Sequence, residues 1–287
     1  MGLILPAEIT QVSIDTDNEY AEHFPLGLIS FEEYQLGNGD KFALYWPIGH
    51  EQSEPIVTEF WHDEGSIKPA FSSLALFLQL ASELDEEDGD YPDHPDYQQD
   101  SASPQACLIE ARHLLQSGEL IQSIHFLEKA IQRLPEYTEA AALLTNQYIR
   151  MEQYDDACKM AVQTLISPPS FGVNQQIDRI CFWLSTQKKE SAFLKEDPIW
   201  QRRAELSSLP KGGDKFNNIY ALLSESIEIY IENKQIIQAL TLMQTYREYM
   251  NAETFSFQER NHFNSQEFYL RKIELSYLLP NGPRILR

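Results

Sequence analysis

Two stretches of this chain repeat each other at a fixed offset. With residues 106–135 set over 141–169, Leu114 falls on Tyr148, Leu120 on Tyr154, Ser123 on Ala157, Leu127 on Ala161 and Pro135 on Pro169, always at a step of 34 in the numbering. Apolar positions recur at three- and four-residue steps in both copies, so each reads as a pair of amphipathic helices. One such hairpin cannot cover its own apolar face, and units of this kind must stack. Ser123 and Ala157 sit where the two helices of a hairpin approach closely, and the prolines close the second helix. The segment 216–250 has the same outline with Ala239 at the small position, and 265–279 reads as a final, capping helix. Between them the period fails. The step from Ala157 to Ala239 is not a multiple of 34, and a step of 34 from Ala157 reaches Ser191 without a clean repeat. Irregular helices, one of them over 173–187, therefore fill the gap.

Residues 1–84 follow another rule. From Lys41 to Trp46, Phe42, Leu44 and Trp46 alternate with Ala43 and Tyr45; from Ile56 to Trp61, Ile56, Thr58 and Phe60 alternate with Val57, Glu59 and Trp61. Period-two patterns rich in aromatics are strands. The run 37–40 reads as a turn that accepts positive φ, PIGHEQSEP as a long hairpin loop, and 62–65 as a second turn. Glu8 to Ile14 and Leu28 to Leu36 are candidate further strands. A helix follows, capped by Ser72 or Ser73, with Leu74, Phe77, Leu80, Ala81 and Leu84 on one face. The expected architecture is therefore an α+β module over 1–84 (antiparallel sheet plus helix), an acidic linker over 85–103, and an all-α helical-repeat domain over 104–287.

Charge sharpens that division. The net charge is -22, of which residues 1–103 carry -20 and residues 104–287 only -2. A surface of that sign repels phosphate backbones, which argues against direct nucleic-acid binding, and it attracts a basic protein partner. Residues 85–103 hold eight acidic residues, two prolines and no Lys or Arg, so the sequence predicts a disordered or extended segment there. No apolar run approaches a membrane span, and the N-terminus reads as carrying no signal peptide and no myristoylation pattern. Cys107, Cys158 and Cys181 lie far apart, in no metal-ligand spacing. They read as small buried residues in a reducing cytosol, which makes the expected location cytoplasmic.

A search for chemistry finds little. His62, Asp63 and Glu64 are adjacent on a turn and point apart, and no second histidine stands at a zinc spacing from them. Gly37 and Gly39 are followed by a strand rather than a helix, so they make no phosphate cradle. Lys211-Gly212-Gly213 lacks a phosphate-loop pattern, and no nucleophile elbow is present. No catalytic residue, metal or cofactor is expected. Aromatics ringed by charge suit protein recognition, and the candidate partner-binding residues are Tyr45, Glu51, Glu54, Glu59, Trp61, His62 and Asp63. Alternation places Trp46 and Phe60 in the core, with Tyr45, Glu59 and Trp61 on the opposite face.

The stretch Gly37 to Leu74, with GNGDKFALYWPIG, EPIVTEFWHDEG and a PAFSSLALFLQ helix, resembles the SUKH superfamily, which groups fungal cell-wall-synthesis regulators with bacterial immunity proteins. The helical part resembles the tetratricopeptide repeats. These resemblances imply a non-enzymatic binding protein, of the immunity type that neutralises a basic, nuclease-like toxin, with a second groove for a peptide or helix in the helical part. Two other readings stand beside it: a tetratricopeptide-type adaptor in cell-wall or stress regulation, and an enzyme.

Overall fold

The computed structural model describes residues 2–15, 24–37, 39–84, 91–172, 176–206 and 218–286. Its N-terminal part is a four-stranded antiparallel sheet, and a mostly helical region follows. Strands β1 (Leu28–Gly37), β2 (Asp40–Tyr45), β3 (Ile56–Trp61) and β4 (Ser66–Phe71) lie side by side in chain order. The two alternating segments become β2 and β3, and the segment after Leu28 becomes β1. The stretch from Glu8 to Ile14 does not form a strand: Ala7–Gln11 is a short 3-10 helix, and only Ile14 bridges to Phe31. Strand β4 has no counterpart in the sequence reading, because Pro69 and Lys68 interrupt its alternation.

One sheet face carries a core of Ile29, Phe31, Phe42, Leu44, Trp46, Val57 and Phe71, closed by Leu74 and Phe77 from α1 (Leu74–Ser82). Ser73 starts this helix, its hydroxyl accepting from the Leu76 N–H at 3.2 Å. Phe77 is the centre of the cluster, with ring centroids of Phe31, Tyr34, Phe42 and Phe71 within 5.0–5.8 Å. The cross-strand register decides the rest. Phe42 pairs with Glu59 and Leu44 with Val57, while Lys41 pairs with Phe60. Paired residues share a face, so Glu59 and Trp61 lie on the face of Phe42, and Phe60 lies with Tyr45 on the other. This reverses the expected grouping of Phe60 with Trp46.

Residues 91–103 are an ordered part of this unit rather than a disordered linker; residues 85–90 of that expectation lie outside the described residues. Asp100 accepts from the Ser72 N–H at 2.8 Å, and the Ser103 hydroxyl reaches the carbonyls of Pro69 and Ala70. Tyr97 stacks edge-on against Phe126 at 4.7 Å. The acidic composition hid these partners, since each lies tens of residues away in the chain. Helices α2 (Pro104–Ser117) and α3 (Leu120–Arg133) form a hairpin that packs on β4, and Arg133 donates to the carbonyls of Glu54 and Ser72. The compact units are accordingly Met1–Pro135 with Pro280–Arg287, and Glu136–Leu279, so the division falls at Pro135 and not across 85–103.

Among the described residues, the regular elements of the second unit are helices: α4 (Thr138–Arg150), α5 (Tyr154–Ile166), α6 (Gln176–Ser185), α7 (Pro198–Gln201), α8 (Ile219–Glu232), α9 (Ile236–Asn251), α10 (Phe255–Arg260) and α11 (Ser265–Ser276). Among the described residues, three hairpins, α2–α3, α4–α5 and α8–α9, turn in one way. Each has a left-handed residue at the turn, namely Gly118 (φ 84), Glu152 (φ 58) and Lys234 (φ 59). The next N–H reaches back to a carbonyl in the preceding helix: Glu119 to Leu114, Gln153 to Tyr148 and Gln235 to Tyr230, at 2.8–3.0 Å. That is a six-to-one helix-terminating bond. At a common step beyond the left-handed position stand Ser123, Ala157 and Ala239, each fully buried, as their small size suggested. Ser191 is also buried, but between α6 and α7 rather than within a helix. Among the described residues, no helix is long and apolar enough to cross a membrane.

Candidate functional site

The structure scatters the seven predicted contact residues. Tyr45 and Glu51 are buried, at 1% and 0% exposure, and Glu59 is buried at 7%. They cannot meet a partner at the surface. Each has an internal role instead. The Glu51 carboxylate pairs with Arg284 at 2.7 Å, and Tyr45 lies under the same guanidinium. Glu59 pairs with His94 at 3.1 Å. Glu54, His62 and Asp63 are exposed and Trp61 is half-buried, yet Glu54 precedes β3 whereas His62 and Asp63 follow it. The length of that strand, roughly 20 Å, separates them. At the far end His62 is held between two carboxylates, its Nδ1 2.9 Å from Asp40 and its Nε2 2.9 Å from Asp63. The hydrogen bonds from His62 hold the Asp40 carboxyl below its ordinary value. The Lys68 ammonium sits 3.9 Å above the Trp61 ring. No group of three His, Cys, Asp or Glu among the described residues could hold a metal ion.

Glu59 has a consequence for acid stability. Burial alone would raise its pKa, but the hydrogen bond and charge of His94, with Lys68 nearby, outweigh this and hold it below the usual carboxylate value. A depressed folded-state pKa contributes stability that is present above the unfolded pKa and is lost as the pH falls through the folded one. Thermal melts from neutral to acid pH should therefore show a steeper loss in the wild type than in Glu59→Gln. Parallel curves would remove Glu59 from the account.

A concave site lies in the helical unit. A cleft of about 530 Å³ opens between α5, the segment Ala192–Asp197 and the start of α9. Helix α5 contributes Lys159, Val162, Gln163 and Ile166, whose spacing puts them on one face. The floor is apolar, with Val162, Ile166 and Leu194 all buried. The Phe193 ring stands 68% exposed at the edge. Gln235 and Gln238 complete the wall, and the Oε1 atom of Gln235 is buried with no hydrogen-bond partner among the described residues.

Neighbouring side chains tie the loop down through hydrogen bonds. Asp155, in the first turn of α5, accepts from the Ala192 N–H at 2.9 Å, and the Gln201 amide donates to the Lys195 carbonyl at 2.8 Å. Asp197 caps α7, its Oδ1 accepting from the Trp200 N–H at 2.9 Å while its Oδ2 accepts from the Tyr230 hydroxyl at 2.7 Å. Burial raises the Asp197 pKa, and those hydrogen bonds only partly offset it. Trp200 in turn donates to Glu190 at 3.2 Å. Among the described residues, the lining includes Lys159, Lys195, Glu196 and Asp197 but no Ser, Cys, His or Tyr. Its volume lies within the usual size range of ligand pockets, about 300–1,000 Å³.

Sequence reasoning missed this site. The α5 face was legible as helical spacing, but nothing in residues 192–197 marks them as the opposing wall. They reach it only through contacts with Asp155, Gln201 and Tyr230, from three separate segments.

Comparisons with known proteins add a family. A family model described as the YfbP N-terminal domain matches residues 14–90, which include the Gly37–Leu74 stretch, and one described as the YfbP C-terminal domain matches residues 211–280. The chain is 34% identical over 245 residues to a protein of Escherichia coli strain K12 described as uncharacterized protein YfbP, covering 85% of each.

Proposed function

The chain belongs to the YfbP family, and from that premise we propose that it is a binding protein, not an enzyme, whose helical unit takes up a peptide segment in the cleft beside α5. The observation that carries this reading is the cleft itself: an apolar floor, a rim of amides and charges, and a wall that capping bonds hold in place before any partner arrives. A site that is already ordered loses less entropy on binding. The finer assignment of the hairpins as tetratricopeptide-like belongs to the same proposal. The offset of 34 between the first two, and the shared turn and buried small residues of all three, support it. An adaptor role, which such repeats serve, goes with that assignment. A cytoplasmic location is part of the proposal too, supported by three free, buried cysteines whose thiols burial pushes up to about 11, which keeps them protonated.

Panning phage-displayed random dodecapeptides on the immobilised full chain tests this. Enriched peptides should bind in solution, and Phe193→Ala with Gln238→Ala should weaken them at least tenfold, since exposed aromatics in clefts dominate such contacts. No enrichment, or binders indifferent to both changes, would reject the reading.

A second reading rests on residues 1–103, which carry -20, with Glu54, Asp63 and Glu64 exposed. It is the immunity-type function: a basic, nuclease-like toxin as partner of that surface. Co-expression with such a toxin should protect cells and yield a complex that weakens with salt; absence of both discards it.

A further inference from the structure

We infer that the first unit carries a recognition site for an arginine-bearing extended segment, and that the chain fills it with its own residues 280–286 as a tethered ligand. The site lies wholly within that unit. Arg284 enters a buried pocket formed by Leu26, Gly27, Tyr45, Trp46 and Glu51. Its Nε and Nη2 donate to the Leu26 carbonyl at 3.2 and 2.6 Å, Nη2 also reaches the Trp46 carbonyl, and Nη1 donates to the Glu51 carboxylate at 2.7 Å. The Tyr45 ring lies 5.7 Å from the guanidinium carbon. Every polar group that these bonds bring to the guanidinium is an acceptor. A guanidinium has five N–H donors in a fixed fork and no acceptor, so it is the side-chain group that matches this set.

Two features distinguish this pocket from an ordinary core ion pair. First, bonds that do not involve the segment hold its walls. Trp46 N–H donates to the Gly27 carbonyl at 3.0 Å, Leu28 pairs with Tyr45 across β1 and β2, and Gly49 N–H donates to Glu51 at 2.8 Å. A pocket ordered in this way loses less entropy when it is filled. Second, the hold on the segment is concentrated in one side chain. Residues 280–286 belong to no helix or strand. Apart from Arg284, the Gln52 amide donates to the Asn281 carbonyl at 2.8 Å, the Asn281 amide to the Gly49 carbonyl, and Leu3 N–H to the Ile285 carbonyl at 3.1 Å.

One anchor in a desolvated pocket, flanked by a few bonds to main-chain groups, is how folded domains hold extended peptides. Charge points the same way. Residues 280–287 carry two arginines and no acidic residue, whereas residues 1–103 carry -20. Such complementarity favours a basic segment over a neutral or acidic one. The tether then keeps the site filled, because a linked ligand acts at an effective concentration on the order of millimolar. A free segment of the same chemistry competes poorly while Arg284 is in place and well once it is gone.

A fluorescein-labelled peptide with the sequence of residues 280–287, titrated against the full chain and followed by anisotropy, tests this. The wild type should bind it weakly, since its own segment competes. Full-length Arg284→Ala should bind it at least about tenfold more tightly, and unlabelled peptide should raise the melting temperature of that variant. Full-length Arg284→Lys, which keeps a cation in the pocket, should lie between the two and provides the comparison if the alanine variant does not fold. The same peptide carrying Arg284→Ala should bind none of these chains, and adding Glu51→Gln to either variant should abolish the gain. Binding that survives loss of the peptide's arginine would overturn the inference. So would equal affinity for the wild type and the variants, or no binding to either variant at millimolar peptide.

Discussion

Replacing Arg284 by Ala is expected to destabilise the unit formed by Met1–Pro135 and Pro280–Arg287 by about 3–5 kcal/mol. The guanidinium is 1% exposed and its partner Glu51 0% exposed, with Nη1 2.7 Å from the carboxylate. The remaining donors reach the carbonyls of Leu26 and Trp46. Glu51 has one further donor, the Gly49 N–H at 2.8 Å, so loss of Arg284 strands a buried charge. Gly27 shows how closely the site is fitted: φ is +84, and a Cβ there would lie 2.6 Å from a guanidinium nitrogen. The flanking chain follows the same path. Leu3 N–H donates to the Ile285 carbonyl, the Gln52 amide to those of Gly2 and Asn281, and Leu286 packs against the sheet core. Urea unfolding followed by circular dichroism, with hydrogen exchange of β2 amides to assign the transition, measures the loss. Arg284→Lys should fall between, since an ammonium cannot span the carboxylate and two carbonyls. Arg284→Met with Glu51→Leu should recover most of the stability, because the penalty comes from the unpaired partner. A loss below about 1 kcal/mol for Arg284→Ala, as for an exposed ion pair, would show that the pair is dispensable.

Phe77→Ala should cost about 3–5 kcal/mol in the same unit. The ring is fully buried and is the point where four other aromatic rings converge. Its removal loses both the transferred surface and the edge-to-face contacts, and it leaves a cavity that rigid rings fill poorly. Phe77→Leu should recover part of the loss by filling part of the volume. The same denaturation measurement decides it, and equal losses for Ala and Leu would mean that ring packing is not what α1 contributes.

Local pattern carried some of this fold to the page before any coordinates. Strands β2 and β3 follow from unbroken alternation, α1 from Ser73 and its apolar face, and the first two hairpins from the constant offset between their sequences. Where the reading failed, a long-range contact had overruled a local cue. Residues 91–103 look disordered by composition, yet Asp100 and Ser103 bond to β4 and its exit from the sheet. Tyr45, Glu51 and Glu59 look like surface residues by charge and alternation, yet Arg284 and His94 bury two of them as pairs.

By itself, the sequence determined the period of β2, β3, α1 and the first two hairpins, the small residues at the hairpin crossings and the acidic bias of the first third. These are properties of neighbours along the chain, set by side-chain spacing of two or of three to four residues. Only the tertiary structure decided the face on which each strand residue lies, the return of residues 280–286 to the first unit, and the meeting of α5 with residues 192–197. Each of these depends on register and on partners up to 258 residues apart, as Arg284 and Leu26 are. A one-residue slip in pairing would reverse every face while leaving the sequence pattern unchanged.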